Sequence, residues 1–353
     1  MMRTRMAVVG CGHLGAIHAR LLAAREDVEL VAVCDPVSES RDRVAAAQGC
    51  RALAEPLGLP GLVDAAVIAA PTGLHAAVAL PLLEAGVDLL VEKPIAATVE
   101  DARAISVAAR RCGRVVAVGH VERFNPAWRA AVERAPGATV VEAVRAAPFT
   151  FRSLDVGVIH DLMIHDIDLV LSLEPGRLDR VEAQGILATG GFEDAARARL
   201  VFSSGLVADL SASRISPQLR RTISMWSPHG IVQADLNTKT VEAITPSAGV
   251  CQGAFVAADV PLSERGALKD RFFTEVLPLQ SVTVADVNAI ACEHDDFLAA
   301  IRTARPPLVT AAAGAAAVEI AARVIEALEY VRLGAANPRR PATIPIPPRR
   351  KTG

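Results

Sequence analysis

The ten residues HDLMIHDIDL, 160 to 169, set two histidines and three aspartates among Leu, Met and Ile. On a helix, Asp161, His165 and Asp168 stand at i, i+4 and i+7 and share one face, while His160 and Asp166 point elsewhere. Unpaired charge is costly to bury, so an apolar helix that sets an acid beside a base needs a reason for it. Three readings stand: a hydrogen-bonded structural pair, a metal site, and an acid and base for catalysis.

A second concentration of chemistry lies near the start. GCGHLG puts Gly10, Gly12 and Gly15 into GxGxxG after the apolar run MAVV and before a helical pattern. Gly10 permits the tight turn, Gly12 lets the backbone approach a pyrophosphate, and Gly15 allows close helix packing; the helix N-terminus attracts the anion. His13 and Leu14 open that helix and complete the expected contacts. Twenty residues beyond Gly15, Asp35 ends the second strand-like run. A carboxylate there accepts from ribose hydroxyls and repels a 2'-phosphate, which favours NAD over NADP. Two further strand ends carry reactive groups. APTGLH places Pro71, Thr72 and His75 at the carboxyl edge where ligands of open sheets bind, and VEKP places Glu92 and Lys93 at the same edge, with Pro94 fixing the chain behind them.

The elements that must position these groups follow from the apolar pattern. MAVV, LVAVC, AAVIAA, DLLVE and VVAVG are short, continuously apolar runs separated by amphipathic stretches, which implies a parallel, doubly wound sheet covered on both faces. From 139 to 242 the runs alternate instead, as in RARLVF and VEAQGI, and are interrupted by one long helix, 156 to 172; this reads as a sheet with one face against helices. Residues 245 to 286 show poor periodicity and are expected to hold long loops.

The chain of 353 residues is long enough for two cores, and 52% hydrophobic with 22% charged residues is a globular composition. The longest apolar runs, such as 65 to 71, are strand-sized, and no cleavage pattern follows Arg3 and Arg5, so a cytoplasmic protein without a membrane span is expected. With 37 basic against 39 acidic residues there is no general reason for a nucleic-acid or membrane partner. Six cysteines without a CxxC pair speak against zinc and disulfides, and are expected reduced and mostly buried. The final NPRRPATIPIPPRRKTG, with five basic residues and five prolines, reads as an extended tail.

GCGHLG, APTGLH, VEKPIA and HDLMIHDID, in this order and spacing, resemble the glucose-fructose oxidoreductase / inositol dehydrogenase (Gfo/Idh/MocA) family, and 293 to 328 is similar to that family's final helical pair. The resemblance implies a Rossmann domain over 1–122, an α+β domain with an open, mainly antiparallel sheet over 123–334, and a basic tail over 335–353, with the active site between the domains. It makes Lys93, Asp161 and His165 the catalytic positions. His165 would be the base on the alcohol being oxidised, with Asp161 and Lys93 steadying the substrate hydroxyl and no catalytic metal. The run FRSLDVGVIHD departs from the Gly-rich stretch of many relatives and retains only Gly157, which bears on pocket shape.

Within the family, GHVERFNPA (119 to 127) and SLDVGVIHDLMIHDIDLVLSL are most similar to members that oxidise the 3-hydroxyl of UDP-N-acetylglucosamine to a ketone. A pyridoxal-phosphate aminotransferase then takes up that ketone, in some bacteria for lipid A. A diphosphate needs cations, and Arg123, Arg152, Arg214, Arg220 and Arg221 are available; Arg123 and Asn125 are the first candidates, beside Arg152, Lys93, Asp161 and His165. The resemblance also implies a homodimer or homotetramer formed through the free sheet face. Inositol or a free sugar is the alternative substrate. From other classes, a metal-dependent phosphohydrolase and a non-catalytic NAD-binding module remain.

Overall fold

The computed structural model describes residues 3–151, 153–154 and 156–333. The chain divides into two compact units, one made of residues 1–124 and 287–322, the other of 125–286 and 323 onward. The expected class is found: a parallel six-stranded sheet in one unit, a mixed and mostly antiparallel sheet in the other.

In the first unit β1 (Thr4–Val9), β2 (Val28–Cys34), β3 (Arg51–Leu53), β4 (Ala65–Ile68), β5 (Asp88–Glu92) and β6 (Val116–Gly119) lie in the order β3-β2-β1-β4-β5-β6. All neighbours are parallel. The three-residue β3 is too short and exposed to leave an apolar signature. β4 and β5 are buried at every position, as strands covered by helices on both faces must be. Helix Val99–Cys112 shows how local sequence sets boundaries: Thr98 accepts from the Asp101 N–H at its start, and Gly113, at φ +61°, ends it.

The helices Ala289–Thr303 and Ala311–Glu326 arrive from far along the chain. The first buries Phe297 and Leu298 against Met6, Val8, Leu22 and Val33, so the core of this unit is completed by residues nearly 300 positions away in sequence from its first strand. The second opens after a bridge between Thr310 and Ala117, and Gly314 lets it approach the Val118 side chain closely.

The second unit carries β7 (Val140–Ala146), β8 (Leu178–Leu187), β9 (Ala195–Phe202), β10 (Val207–Ser213), β11 (Arg220–Ser227), β12 (Gly230–Asp235), β13 (Thr240–Ile244), β14 (Leu279–Val282) and β15 (Leu328–Arg332). They form a nine-stranded sheet in the order β14-β13-β12-β11-β7-β10-β9-β8-β15. Along β9 and β10 one residue in two is buried, the alternation read from RARLVF. The expected helix over 156–172 is found as a π-helical turn, Ile159–Met163, running into α-helix Ile164–Leu171. Residues 245–286 are more structured than their periodicity implied: short helices Ala248–Cys251 and Leu262–Asp270, a π turn Phe272–Val276, and β14. Strand β15, which follows the expected helical pair of 293 to 328, pairs parallel to β8. Arg152 and the basic tail lie outside the described residues.

Candidate active site

The glycine turn is built as its spacing implied. At Gly10, φ is +96° and an added Cβ would stand 2.5 Å from the Ala69 carbonyl oxygen, so the turn after β1 and the end of β4 touch. A Cβ on Gly15 would overlap the Gly10 carbonyl, whereas one on Gly12 would meet nothing within 4 Å. Gly12 caps helix His13–Ala23 with no side chain in the cap, and Gly12, His13 and Leu14 are exposed. An open helix N-terminus beneath bare backbone fits a dinucleotide pyrophosphate.

Asp35 is half-buried at the end of β2, with Oδ2 accepting from the Cys11 N–H at 2.7 Å and Oδ1 from the Val37 N–H at 2.8 Å. Its carboxylate thus ties the glycine turn to the end of β2; the bond to Val37 is an Asx-turn that Asp-Pro could have signalled, whereas the bond to Cys11, 24 positions away, leaves no local signal. Arg41, on helix Ser38–Gln48, donates to the Asp35 carbonyl at 3.3 Å.

At the other strand ends Pro71 and Thr72 open a short 3-10 turn, with Pro71 exposed and Thr72 half-buried. His75 is buried instead: its Nε2 faces the Ala70 carbonyl at 2.8 Å and its Nδ1 the Pro94 carbonyl at 2.9 Å, so it ties the 70–72 loop to the segment after Lys93. Burial outweighs these carbonyls and lowers its pKa. Glu92 also turns inward. Its Oε1 meets His18 Nε2 at 2.7 Å and its Oε2 accepts the Lys93 N–H at 3.1 Å, while Lys93 stands half-buried at the strand end. His75 and Glu92, expected as cofactor contacts, have their polar atoms committed to the scaffold; burial of a polar group demands partners, and the nearest ones are protein.

In the second unit Asp161 and His165 are both half-buried, on the exposed side of a helix whose Ile159, Met163, Ile164 and Ile167 are fully buried. Asp168, expected on the same face, is buried. Asp166 pairs with Arg145 of β7 at 2.8 Å, both side chains 4% exposed, so part of the ionisable content of this segment is structural. The helix start is clamped. Val158 and Ile159 donate to the carbonyl and carboxylate of Glu193, each at 3.1 Å, and Gly157 packs directly on that carboxylate. Burial pushes the Glu193 pKa up. Arg214 donates to Asp194 at 2.8 Å and to the carbonyls of Ser153 and Val156, which removes it from the cations available to a substrate.

Arg123 is half-buried in the 3-10 turn Val121–Phe124. Asn125 caps helix Pro126–Arg134, accepting from the Ala127 N–H and donating to the Leu236 carbonyl, a structural use that an Asn-Pro pair before a helical pattern could have signalled. Arg220 and Arg221 are exposed on β11. All six cysteines are free, but only Cys11 and Cys34 are buried; their thiols are pushed up to about 11 and about 12, chiefly by burial. Among the described residues, the side chains whose ligand atoms gather within 4.8 Å are His18, Glu92 and Glu293 of the first unit, none of them from the segment that raised the metal reading.

Sheet order, glycine turn and the carboxylate after β2 define a dinucleotide-binding protein of the doubly wound class. Comparison with known proteins carries this further. A profile described as the oxidoreductase family with an NAD-binding Rossmann fold matches residues 4–120, and that of the GFO/IDH/MocA C-terminal domain matches 107–231. The chain is 35% identical to UDP-N-acetylglucosamine 3-dehydrogenase of Acidithiobacillus ferrooxidans, covering 93% of this chain and 98% of that one. A crystal form of that enzyme superimposes with a TM-score of 0.81 over the same shares at 33% identity. The scyllo-inositol 2-dehydrogenase (NAD(+)) of Bacillus subtilis is 30% identical over 61% of this chain and 68% of its own. The chain belongs to the Gfo/Idh/MocA family. It is an NAD-dependent oxidoreductase acting on CH–OH groups.

Proposed function

We propose that the chain oxidises the 3-hydroxyl of UDP-N-acetylglucosamine to the 3-keto sugar nucleotide. The observation that carries this reading is similarity to the Acidithiobacillus enzyme along 98% of its length, where the Bacillus inositol enzyme is matched along 68%. NAD, when bound, accepts the hydride leaving the carbinol carbon. The chain's own groups handle the rest. His165 takes the hydroxyl proton and passes it to solvent, while Asp161 orients the hydroxyl and Lys93 steadies the charge that develops on its oxygen. A helix gives the Asp161 and His165 pair a fixed spacing, and the buried Ile and Met residues beneath it keep that spacing rigid.

Gly10, Gly12, His13, Leu14 and Gly15 hold the pyrophosphate by backbone N–H groups, Asp35 takes the ribose, and Pro71 and Thr72 line the same sheet edge. Arg123 and Arg152 supply charge for the UDP diphosphate. The ketone is the substrate that a pyridoxal-phosphate aminotransferase needs, and that enzyme is the expected pathway partner, as for lipid A precursors. We place the reaction in the cytoplasm, where NAD is available; among the described residues no helix is long and apolar enough to cross a membrane. A homodimer or homotetramer would use the free, polar face of the nine-stranded sheet, which light scattering coupled to gel filtration reads directly.

The test is absorbance at 340 nm with NAD and UDP-N-acetylglucosamine, beside N-acetylglucosamine, myo-inositol and scyllo-inositol. Reduction only with the nucleotide sugar supports the reading; reduction with an inositol and none with the nucleotide transfers the function to the second reading, which the Bacillus relative favours.

A further inference from the structure

A buried polar cluster in the first unit has no part in the chemistry above. His18, fully buried on helix His13–Ala23, meets Glu92 through Nε2 at 2.7 Å and His294 through Nδ1 at 2.8 Å. Glu293 is 2% exposed, and among the described residues neither of its carboxylate oxygens has a hydrogen-bond partner. One of them lies within 4.8 Å of a His18 ring nitrogen and of a Glu92 oxygen. Three elements therefore converge on one dry volume: the helix that opens at the glycine turn, the end of β5, and the returning helix Ala289–Thr303.

The charge pattern is coherent. Burial and the Glu92 charge hold Glu293 well above the usual carboxylate range, so it keeps its proton. Burial is the largest single influence on Glu92 and opposes its ionisation, but the hydrogen bond and charge of His18 together with the charge and N–H of Lys93 hold it below its ordinary value. Burial, then His18 and Arg25, push His294 down to about 3, so it is neutral. A shared cation does not suit this packing: tetrahedral ligands with bonds of about 2 Å sit roughly 3.3 Å apart, and His18 and Glu92 are already in contact at 2.7 Å.

We propose that His18, Glu92 and Glu293 are positioning residues for Lys93. Glu92 accepts the Lys93 backbone N–H on one side and His18 on the other, which ties the strand end presenting Lys93 to the helix that seats the cofactor. Glu293 closes the cluster from the third element. The proposal rests on Lys93 acting in the reaction.

The experiment compares Glu293→Ala, Glu293→Leu, Glu293→Gln and Lys93→Met in the full chain. NAD binding is followed by fluorescence titration, turnover at 340 nm, folding by thermal melting and metal content by mass spectrometry. Glu293→Ala is expected to lower kcat about tenfold or more with the NAD Kd within about threefold, because small displacements of a reacting group are costly in rate. Glu293→Leu, which leaves less of a cavity, should show the same loss if the alanine variant fails to fold. Glu293→Gln keeps the shape and a neutral side chain, and should restore turnover. Equal loss of NAD binding and turnover in all three Glu293 variants, or unchanged kcat in Glu293→Leu, overturns the proposal; so does one metal equivalent per chain that Glu293→Leu removes. Full turnover in Lys93→Met instead overturns the reading of Lys93 beneath it.

Discussion

At the scale of single residues, Asp35 and His165 carry the sharpest expectations. Asp35 accepts one backbone N–H from the glycine turn and one from its own, so its loss is felt by the fold as well as by the ribose. Asp35→Ala with Pro36→Arg removes a charge that repels a 2'-phosphate and adds a partner for it, beside Arg41, whose guanidinium is already at the Asp35 carbonyl. The ratio of kcat/KM for NADP over NAD should rise by about tenfold or more; steady-state kinetics with both cofactors check this, and an unchanged ratio removes Asp35 from the selectivity role. His165→Ala should lower kcat by about 100-fold to 10,000-fold, the usual contribution of a general base, while NAD binding stays intact. Turnover that survives in that variant removes His165 from the role of base. At this scale the reading from sequence reached Gly10, Gly12 and Gly15 because a glycine turn is a local requirement. It did not reach His75 or Glu92 as scaffold, because the Pro94 carbonyl and the His18 imidazole that absorb their polar atoms come from other segments.

At the scale of elements, the helix bearing Asp161 and His165 owes its setting to residues that touch no substrate in the proposed reaction. Its first turn is π-helical, a distortion that recurs at functional sites. Glu193 holds the N–H of Ile159, and Arg145 pairs with Asp166 further along. Gly157→Ala would drive a methyl into the Glu193 carboxylate and free the Ile159 N–H; a loss of about 1 to 3 kcal/mol in stability is expected together with a lower kcat. Chemical denaturation and steady-state assays test the two effects, and wild-type values in both would show that the clamp does not matter. The apolar spacing of HDLMIHDIDL announced an amphipathic helix correctly. Asp166 could not be told from a reactive aspartate, because Arg145 lies 21 positions away and pairs with it only through the sheet.

At the scale of the whole molecule, the first unit is assembled from both ends of the chain. A fragment of residues 1–124 lacks Phe297 and Leu298, which bury against Met6 and Leu22, and is expected not to melt cooperatively; a fusion supplying 287–322 should restore the transition in calorimetry. A cooperative transition in the short fragment would count against that dependence. The buried cluster also sets a pH window. His294, held at about 3 against 6.5 when unfolded, contributes stability that is complete above pH 6.5 and falls as pH drops toward 3. Glu293, held above 4.5, contributes stability that is complete below pH 4.5 and is lost as pH rises. The opposing slopes, each at most about 1.4 kcal/mol per pH unit, balance between pH 4.5 and 6.5. Above that window Glu293 is the member of this cluster that destabilises with rising pH, so Glu293→Gln should flatten that part of the decline of Tm; parallel curves for variant and parent would refute the assignment.

What the sequence determined by itself was what local rules can encode. The glycine turn, the continuously apolar parallel strands, the alternating second sheet and the amphipathic helix of Asp161 and His165 depend on residues within one turn or one strand of each other. Tertiary structure alone decided which of the candidate side chains are consumed by the scaffold. It put Asp166 with Arg145, Asp194 with Arg214, and Glu92 with His18, and brought Glu293 beside Glu92 and His18 from more than 200 positions away. A buried polar atom takes whichever partner folding brings within reach, and no local pattern records that choice.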